Sequence, residues 1–264
     1  MSKFYYLKKV EDHKYGFVYT KDFETDGVLN DIEITQCVDF ANRMAWGEGY
    51  HRGKRSGGIK ERSEKEKFVN TLQGKMTECA LHKYLQGYHL DTSGVDFSVF
   101  GKGKWDTVDL ACNNNKIAVK STKYFGQLLL LETKDWDENG NYIPNEDTNT
   151  GVYDEIVLMR IRPNIEDVIK RKPDFWQLDV AEQLEFLKSI KWEFEISGYI
   201  THEDLQYIIR NHYVIKQGDC LGKVKENYKG IVMDADNYYV QVTNMRKKEE
   251  LLRRLIKCKN KGGY

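Results

Sequence analysis

Two helices are predicted by the spacing of apolar residues in the first third of the chain. From Ile34 to Ala45 the apolar positions recur at i, i+3, i+4 and i+7, which is one face of a helix, and Gly47 would end it. A second stripe predicts a helix from roughly Glu64 to Leu85, with Gly87 as a stop. Its members are Phe68, Val69, Leu72, Met76, Cys79, Ala80 and Leu85.

Between Val95 and Phe125 the apolar period changes to two, which is typical of strands. Residues 95–99 alternate, and residues 105–112 and 116–124 flank three asparagines, a good turn sequence. If Asn113 and Asn114 close a two-residue turn, Leu110 faces Ile117 and Val108 faces Val119 on one apolar surface. The other surface then carries Asp109 opposite Ala118, with Lys120 diagonal to Asp109 at about 5–8 Å.

The rest of the chain alternates between strands and helices. We expect short strands in the first thirty residues, a buried strand at 154–161, a helix at 179–190 and a strand at 192–200. Thr201 is a good N-cap for a further helix, and the tail from Arg246 has apolar residues at helical spacing. This order predicts an α/β fold with a mixed central sheet flanked by helices.

Composition narrows the class of protein. The 264 residues carry 41 basic and 41 acidic side chains, so only local segregation of charge could bind a polyanion. Five scattered cysteines without a CxxC argue against a disulfide framework and against the usual zinc spacings. The apolar runs are short for a membrane span, and GxGxxG and P-loop motifs are absent. We therefore expect a soluble, cytoplasmic protein with no membrane partner and no nucleotide cofactor.

Four segments together resemble the PD-(D/E)xK nuclease superfamily, which includes restriction endonucleases. They are Gln73–Glu78 (QGKMTE), Trp105–Leu110 (WDTVDL), Ile117–Thr122 (IAVKST) and Ile156–Met159 (IVLM). The resemblance covers about residues 64–162 and implies a restriction endonuclease-like core at 64–165, with an acidic insertion at 132–154. Residues 1–63 and 166–264 would then be N- and C-terminal extensions. We expect the acidic insertion to lie on the surface.

The resemblance implies a role for particular residues. Asp109 matches the metal-binding aspartate, with Asp106 as a competitor for that role, and Lys120 matches the catalytic lysine. Val119 would offer its backbone carbonyl to Mg²⁺, and Glu78 matches the helix glutamate that many members add. In such a site hard oxygen ligands hold the metal, which activates water for phosphodiester hydrolysis.

The chain departs from the family pattern at Ala118, where an acid is expected two residues before the lysine. Three explanations remain open: an introduced substitution, a relocation of the ligand to Glu78, or a descendant that only binds DNA. Without the resemblance, Asp109 and Lys120 would be an ordinary cross-strand ion pair on a solvated face.

DNA binding would need phosphate contacts from basic side chains. The glycine-rich segment 50–62 provides five, namely Arg52, Lys54, Arg55, Lys60 and Arg62. Ser121 and Lys123 follow the catalytic lysine, and a basic tail begins at Arg246. The function implied is a Mg²⁺-dependent endonuclease, a type II restriction enzyme that cuts double-stranded DNA as a homodimer. The alternatives are a structure-selective or phage-type nuclease, a catalytically silent DNA-binding protein, or a globular protein unrelated to DNA.

Overall fold

The computed structural model describes residues 4–47, 63–99, 108–144, 151–222 and 230–261. The helices are α1 (Asp31–Trp46), α2 (Glu64–Gly87), α3 (Ile165–Lys170), α4 (Val180–Lys188), α5 (His202–Arg210) and α6 (Lys248–Lys261). The strands are β1 (Lys8–Glu11), β2 (Lys14–Gly16), β3 (Gly27–Val28), β4 (Leu110–Cys112), β5 (Asn115–Lys123), β6 (Leu128–Glu132), β7 (Glu155–Arg162), β8 (Glu193–Thr201), β9 (Val214–Ile215), β10 (Cys220–Leu221), β11 (Ile231–Val232) and β12 (Asn237–Gln241).

The predicted helices and the predicted mixed sheet are confirmed. Four of the helices begin at a capping box, in which the N-cap side chain and the N3 side chain each bond the other's backbone N–H. Thr201 is the N-cap of α5, as its sequence predicts. The four pairs are Asn30 with Glu33, Ser63 with Glu66, Asp179 with Glu182, and Thr201 with Asp204.

Five strands form the central sheet in the order β3-β8-β7-β5-β4. β5 and β7 are parallel, and every other neighbouring pair is antiparallel. Two parallel strands need a crossover between them, and here residues 124–154 make it. This crossover carries β6, which pairs with β12 in a three-stranded sheet of order β6-β12-β9. A third sheet has the order β1-β2-β10-β11. Because β3 and β8 lie outside residues 64–165, the central sheet is shared with both extensions.

The β4–β5 hairpin has the predicted register. Leu110 pairs with Ile117, and Cys112 pairs with Asn115. Asn113 and Asn114 both have positive φ, 47° and 69°, as a two-residue type I′ turn requires. Of the predicted strand 105–112, residues 105–107 lie outside the described residues, and Val108 and Asp109 precede β4, which begins at Leu110.

The central sheet is buried on both faces. One face packs against α1, α2, α3, α4 and α6; the buried apolar residues there, including Val119, Met76 and Phe194, are called the helix-side core. The other face packs against α5 and the β6-β12-β9 sheet; the buried residues there, including Ala118, Leu158 and Val240, are called the sheet-side core.

Two sequence-based expectations are wrong. Residues 95–99 form no strand, because Gly94 takes a positive φ of 76° after Thr92 has bridged to Cys112, and the chain leaves the sheet. The segment 132–154 is not confined to the surface, since Trp136 and Tyr153 are buried in the sheet-side core, where their rings contact one another. Burial of this aromatic surface outweighs the acidic character of the segment. Among the described residues, no helix is long and apolar enough to cross a membrane.

Candidate functional site

Asp109 lies at the start of the hairpin, one residue before β4. Its carboxylate Oδ2 accepts a 2.8 Å hydrogen bond from the backbone N–H of Val119. The side chain thereby takes the place of the next backbone carbonyl in the ladder, which explains why β4 begins at Leu110. In a strand the N–H and C=O of one residue point to the same edge, so the Val119 carbonyl points to the edge where Asp109 lies. The structure brings these two predicted residues together.

Ala118 and Lys120 face the other way from Val119, because side chains alternate along β5. Ala118 is fully buried in the sheet-side core and does not line an open surface. Lys120 is partly exposed, and its Nζ lies 5.9 Å from the centre of the Tyr142 ring. Lys120 therefore contacts an aromatic residue of the crossover segment at the edge of the sheet-side core.

Glu78 lies on α2, on the opposite side of the central sheet from Lys120. α2 packs on the face that carries Val119, with Met76 and Cys79 in the helix-side core. Glu78 Oε2 accepts a 2.6 Å hydrogen bond from Lys75 Nζ, which itself lies 4.9 Å from the centre of the Phe40 ring on α1. The structure therefore directs Glu78 toward α1 and does not bring it together with Lys120.

Ser121 and Lys123 occupy the C-terminal part of β5 on the α2 side. The Ser121 hydroxyl accepts a 3.1 Å hydrogen bond from Gln73 Nε2, and Lys123 Nζ forms a 2.8 Å ion pair with Glu166 of α3. Both residues are partly exposed. The C-terminal end of β5 therefore presents a hydroxyl and two ammonium groups, since Lys120 projects from its other face.

The residues that the structure describes do not make up the magnesium site that the resemblance implies. Asp109 gives one carboxylate and Val119 one carbonyl, but position 118 is a buried alanine and Glu78 lies across the sheet. Within the described ranges, no group of three or more His, Cys, Asp or Glu residues is placed to hold a metal ion. We therefore derive no chemical step through a bound metal.

The remaining predicted DNA contacts divide into two sets. The first set lies outside the described residues and consists of the basic residues of segment 50–62: Arg52, Lys54, Arg55, Lys60 and Arg62. Asp106, the competitor of Asp109, also lies outside the described residues. Three basic residues of the tail instead stabilise the fold by ion pairs with carboxylates: Arg246 with Asp204, Lys248 with Asp26, and Arg254 with Glu155.

Sequence reasoning missed a buried ionic network beside the hairpin. Arg160 and Glu195 face each other across β7 and β8, and neither side chain is exposed to solvent. The guanidinium also donates to the carbonyls of Lys21, Asp22 and Gly126, so it ties the N-terminal segment and the loop after β5 to the sheet. The available signal was a charged residue between two apolar neighbours in each strand, Arg160 in β7 and Glu195 in β8.

Comparison of the chain with protein-family models, with curated proteins and with solved structures found no match.

Proposed function

We propose that this chain binds double-stranded DNA through the C-terminal end of β5, on a restriction endonuclease-like core. With alanine at position 118, it binds without hydrolysing the phosphodiester backbone. Lys120, Ser121 and Lys123 contact the phosphates, since ammonium groups and hydroxyls are common phosphate donors.

The observation that carries this proposal is the hairpin with Asp109 bonded to Val119, followed in the sheet by a parallel strand. Helix α2, hairpin β4–β5 and strand β7 follow one another in the order that the PD-(D/E)xK resemblance implies. The same resemblance assigns Asp109, Val119 and Lys120 to the site. Asp109 and Val119 are in contact at one edge of β5.

The absence of hydrolysis follows from the donor set. Among the described residues, one carboxylate and one carbonyl leave Mg²⁺ without the second acidic ligand that the resemblance implies. We therefore expect Mg²⁺ to have no effect on the backbone of bound DNA.

The experiment that tests the proposal is fluorescence anisotropy with a labelled 24-base-pair duplex. We expect binding that weakens steeply with salt, and about a tenfold loss of affinity in the double variant Lys120→Ala, Lys123→Ala. The double variant Lys9→Ala, Lys14→Ala is the matched control, because it also removes two lysines that pair with carboxylates, here in the β1-β2-β10-β11 sheet. Equal losses in the control and the double variant would contradict the proposed site.

A second candidate function is the endonuclease itself, a metal-dependent type II enzyme acting as a homodimer. The retained pair of Asp109 and the Val119 carbonyl favours it, since only the acid at position 118 is then missing. Double-strand cleavage of a palindrome would need two such sites, which a two-fold dimer supplies.

Plasmid digestion with Mg²⁺ tests this candidate, using Ala118→Glu, Ala118→Asp and each acid combined with Lys120→Ala. Discrete bands from an acidic variant that vanish with Lys120→Ala would support it. The variants are first checked for cooperative unfolding, because residue 118 is buried. Folded acidic variants that leave plasmid and branched DNA intact would exclude the endonuclease. Light scattering of each sample tests whether the chain is a homodimer.

A further inference from the structure

A cleft of about 530 Å³ lies between the C-terminus of α1, the N-terminus of α2 and the start of α4. Its walls include two tryptophans, two amides and two cationic side chains: Trp46, Trp176, Asn42, Gln183, Arg43 and Lys65. Trp46 is 49% exposed, which is unusual for so large an apolar side chain. The cleft is separate from the hairpin site.

The two indole rings are held at a fixed angle. Their centres are 5.9 Å apart and their planes are inclined by 57°, so they form two walls of the cleft. The buried ring of Phe68 lies behind both, with its centre 5.5 Å from Trp46 and 5.6 Å from Trp176. A planar ligand would therefore stack against one indole face, because the rings are too close together to enclose it between them.

Gln183 supplies an unused hydrogen-bond acceptor. Its side chain is buried, with 6% of the residue exposed, and its Nε2 donates to the carbonyls of Phe175 and Leu178 at 3.1 and 3.2 Å. Its Oε1 is buried and has no hydrogen-bond partner among the described residues. A buried acceptor without a partner is unfavourable, and a ligand with an N–H group at its edge would satisfy it.

The described residues that line the cleft carry one more positive than negative side chain, since Arg43 and Lys65 accompany the carboxylate of Asp39. Lys65 Nζ lies 5.4 Å from the centre of the Trp176 ring, whereas Arg43 already pairs with Asp39. Lys65 and Trp176 also line a second cleft of about 330 Å³ that reaches Glu166, the ion-pair partner of Lys123. The two clefts therefore run from the indoles toward the proposed DNA contact at the end of β5.

We propose that this cleft takes an unpaired nucleobase of a DNA strand. The base stacks on an indole face, gives an N–H from its edge to Gln183 Oε1, and keeps its phosphate near Lys65. Stacking on aromatic side chains combined with nearby positive charge is the usual means of binding unpaired strands. This inference rests on the proposed function, because the strand reaches the cleft from the DNA site at β5.

The test is anisotropy with a labelled single-stranded decamer of deoxyadenosine, beside the 24-base-pair duplex. Trp46→Leu should lose about tenfold in affinity for the decamer and keep its affinity for the duplex within about threefold. Trp46→Phe should keep most of the decamer affinity, because it retains an aromatic face. Tyr88→Leu is the control, since Tyr88 is an aromatic residue of similar exposure, 50%, that follows the opposite end of α2.

Each outcome decides between the two proposals. Decamer binding by Trp46→Leu equal to that of the unsubstituted chain would overturn the inference, as would no decamer binding by the unsubstituted chain. If the unsubstituted chain binds the decamer but does not bind the duplex, the proposed function alone is overturned. If Trp46→Leu does not fold, Lys65→Ala supplies the comparison, because Lys65 is an exposed residue beside the Trp176 ring and its loss should also lower decamer affinity.

Discussion

The carboxylate of Asp109 accepts a hydrogen bond from the backbone N–H of Val119 at 2.8 Å. This bond takes the place of the next backbone hydrogen bond between β4 and β5, and it holds the carboxylate beside the edge of β5 that carries the Val119 carbonyl. Asp109 thus determines where β4 begins and which oxygen atoms lie at this edge.

Two substitutions of Asp109 test how much its hydrogen bond to Val119 stabilises the hairpin. Asp109→Ala removes the acceptor from a partly buried backbone N–H, so we expect a loss of about 1.5–3 kcal/mol in the free energy of unfolding. Asp109→Asn keeps an acceptor of nearly the same shape and should lose less than half as much. Urea unfolding measures both, and equal losses in the two variants would show that the hydrogen bond does not hold the hairpin.

The turn between β4 and β5 gives a second prediction. Asn114 has a φ of 69°, a conformation that is easy for glycine and costly for alanine. Asn114→Gly should therefore leave stability unchanged or raise it slightly, whereas Asn114→Ala should lower it by about 1 kcal/mol. Thermal unfolding of the two variants is the measurement, and a more stable alanine variant would argue against the type I′ turn.

The buried pair of Arg160 and Glu195 gives a third prediction. Arg160→Met leaves the fully buried carboxylate of Glu195 with Lys21 as its one ionic partner among the described residues. We therefore expect the free energy of unfolding to fall by about 3–5 kcal/mol. Adding Glu195→Met should recover part of that loss, because no buried charge then remains without its main partner.

Arg162→Met is the matched control for Arg160→Met. Arg162 makes the neighbouring cross-strand pair, with Glu193, but 43% of its side chain is exposed. Solvent screening makes such a pair worth under about 1 kcal/mol. Chemical unfolding that gave similar losses for Arg160→Met and Arg162→Met would contradict the importance of burial here.

Glu155 predicts a pH dependence. Burial raises the pKa of this carboxyl group, and the ion pair with Arg254 opposes that shift only in part. The folded protein therefore binds this proton more tightly than the unfolded chain, so the contribution of Glu155 to stability falls as the pH rises through its pKa. Relative to Glu155→Gln, the unsubstituted chain should therefore become more stable as the pH falls from about 7 to about 5. Urea titrations at both pH values measure this difference, and a relative loss on acidification would reverse the sign we derive.

The sequence predicted local structure well where periodicity and turn chemistry agree. The register of the hairpin follows from apolar alternation and from Asn113 and Asn114, which favour positive φ. The helices follow from stripes at helical spacing, and Glu78 lies outside the stripe of α2. The structure places the Glu78 carboxylate beside Lys75, toward α1, whereas the resemblance implied a place in the metal site.

The surroundings of Ala118 could not be predicted from the residues near it. Its face of the sheet is covered by β6, which follows β5 closely, and by β9 and β12, which come from the distant C-terminal part of the chain. Local alternation predicts which face a side chain occupies but gives no information about what packs on that face. The same limit applies to Trp136 and Tyr153, which lie in an acidic segment and are buried by contacts with each other and with distant strands.

Photo-crosslinking of the full chain to a duplex with photoreactive phosphates reports which residues lie against the DNA backbone. If the end of β5 binds the duplex, crosslinks will concentrate in residues 120–125 and will be lost when an unlabelled duplex competes. Crosslinks confined to the β1-β2-β10-β11 sheet, with none in residues 120–125, would contradict binding at the end of β5.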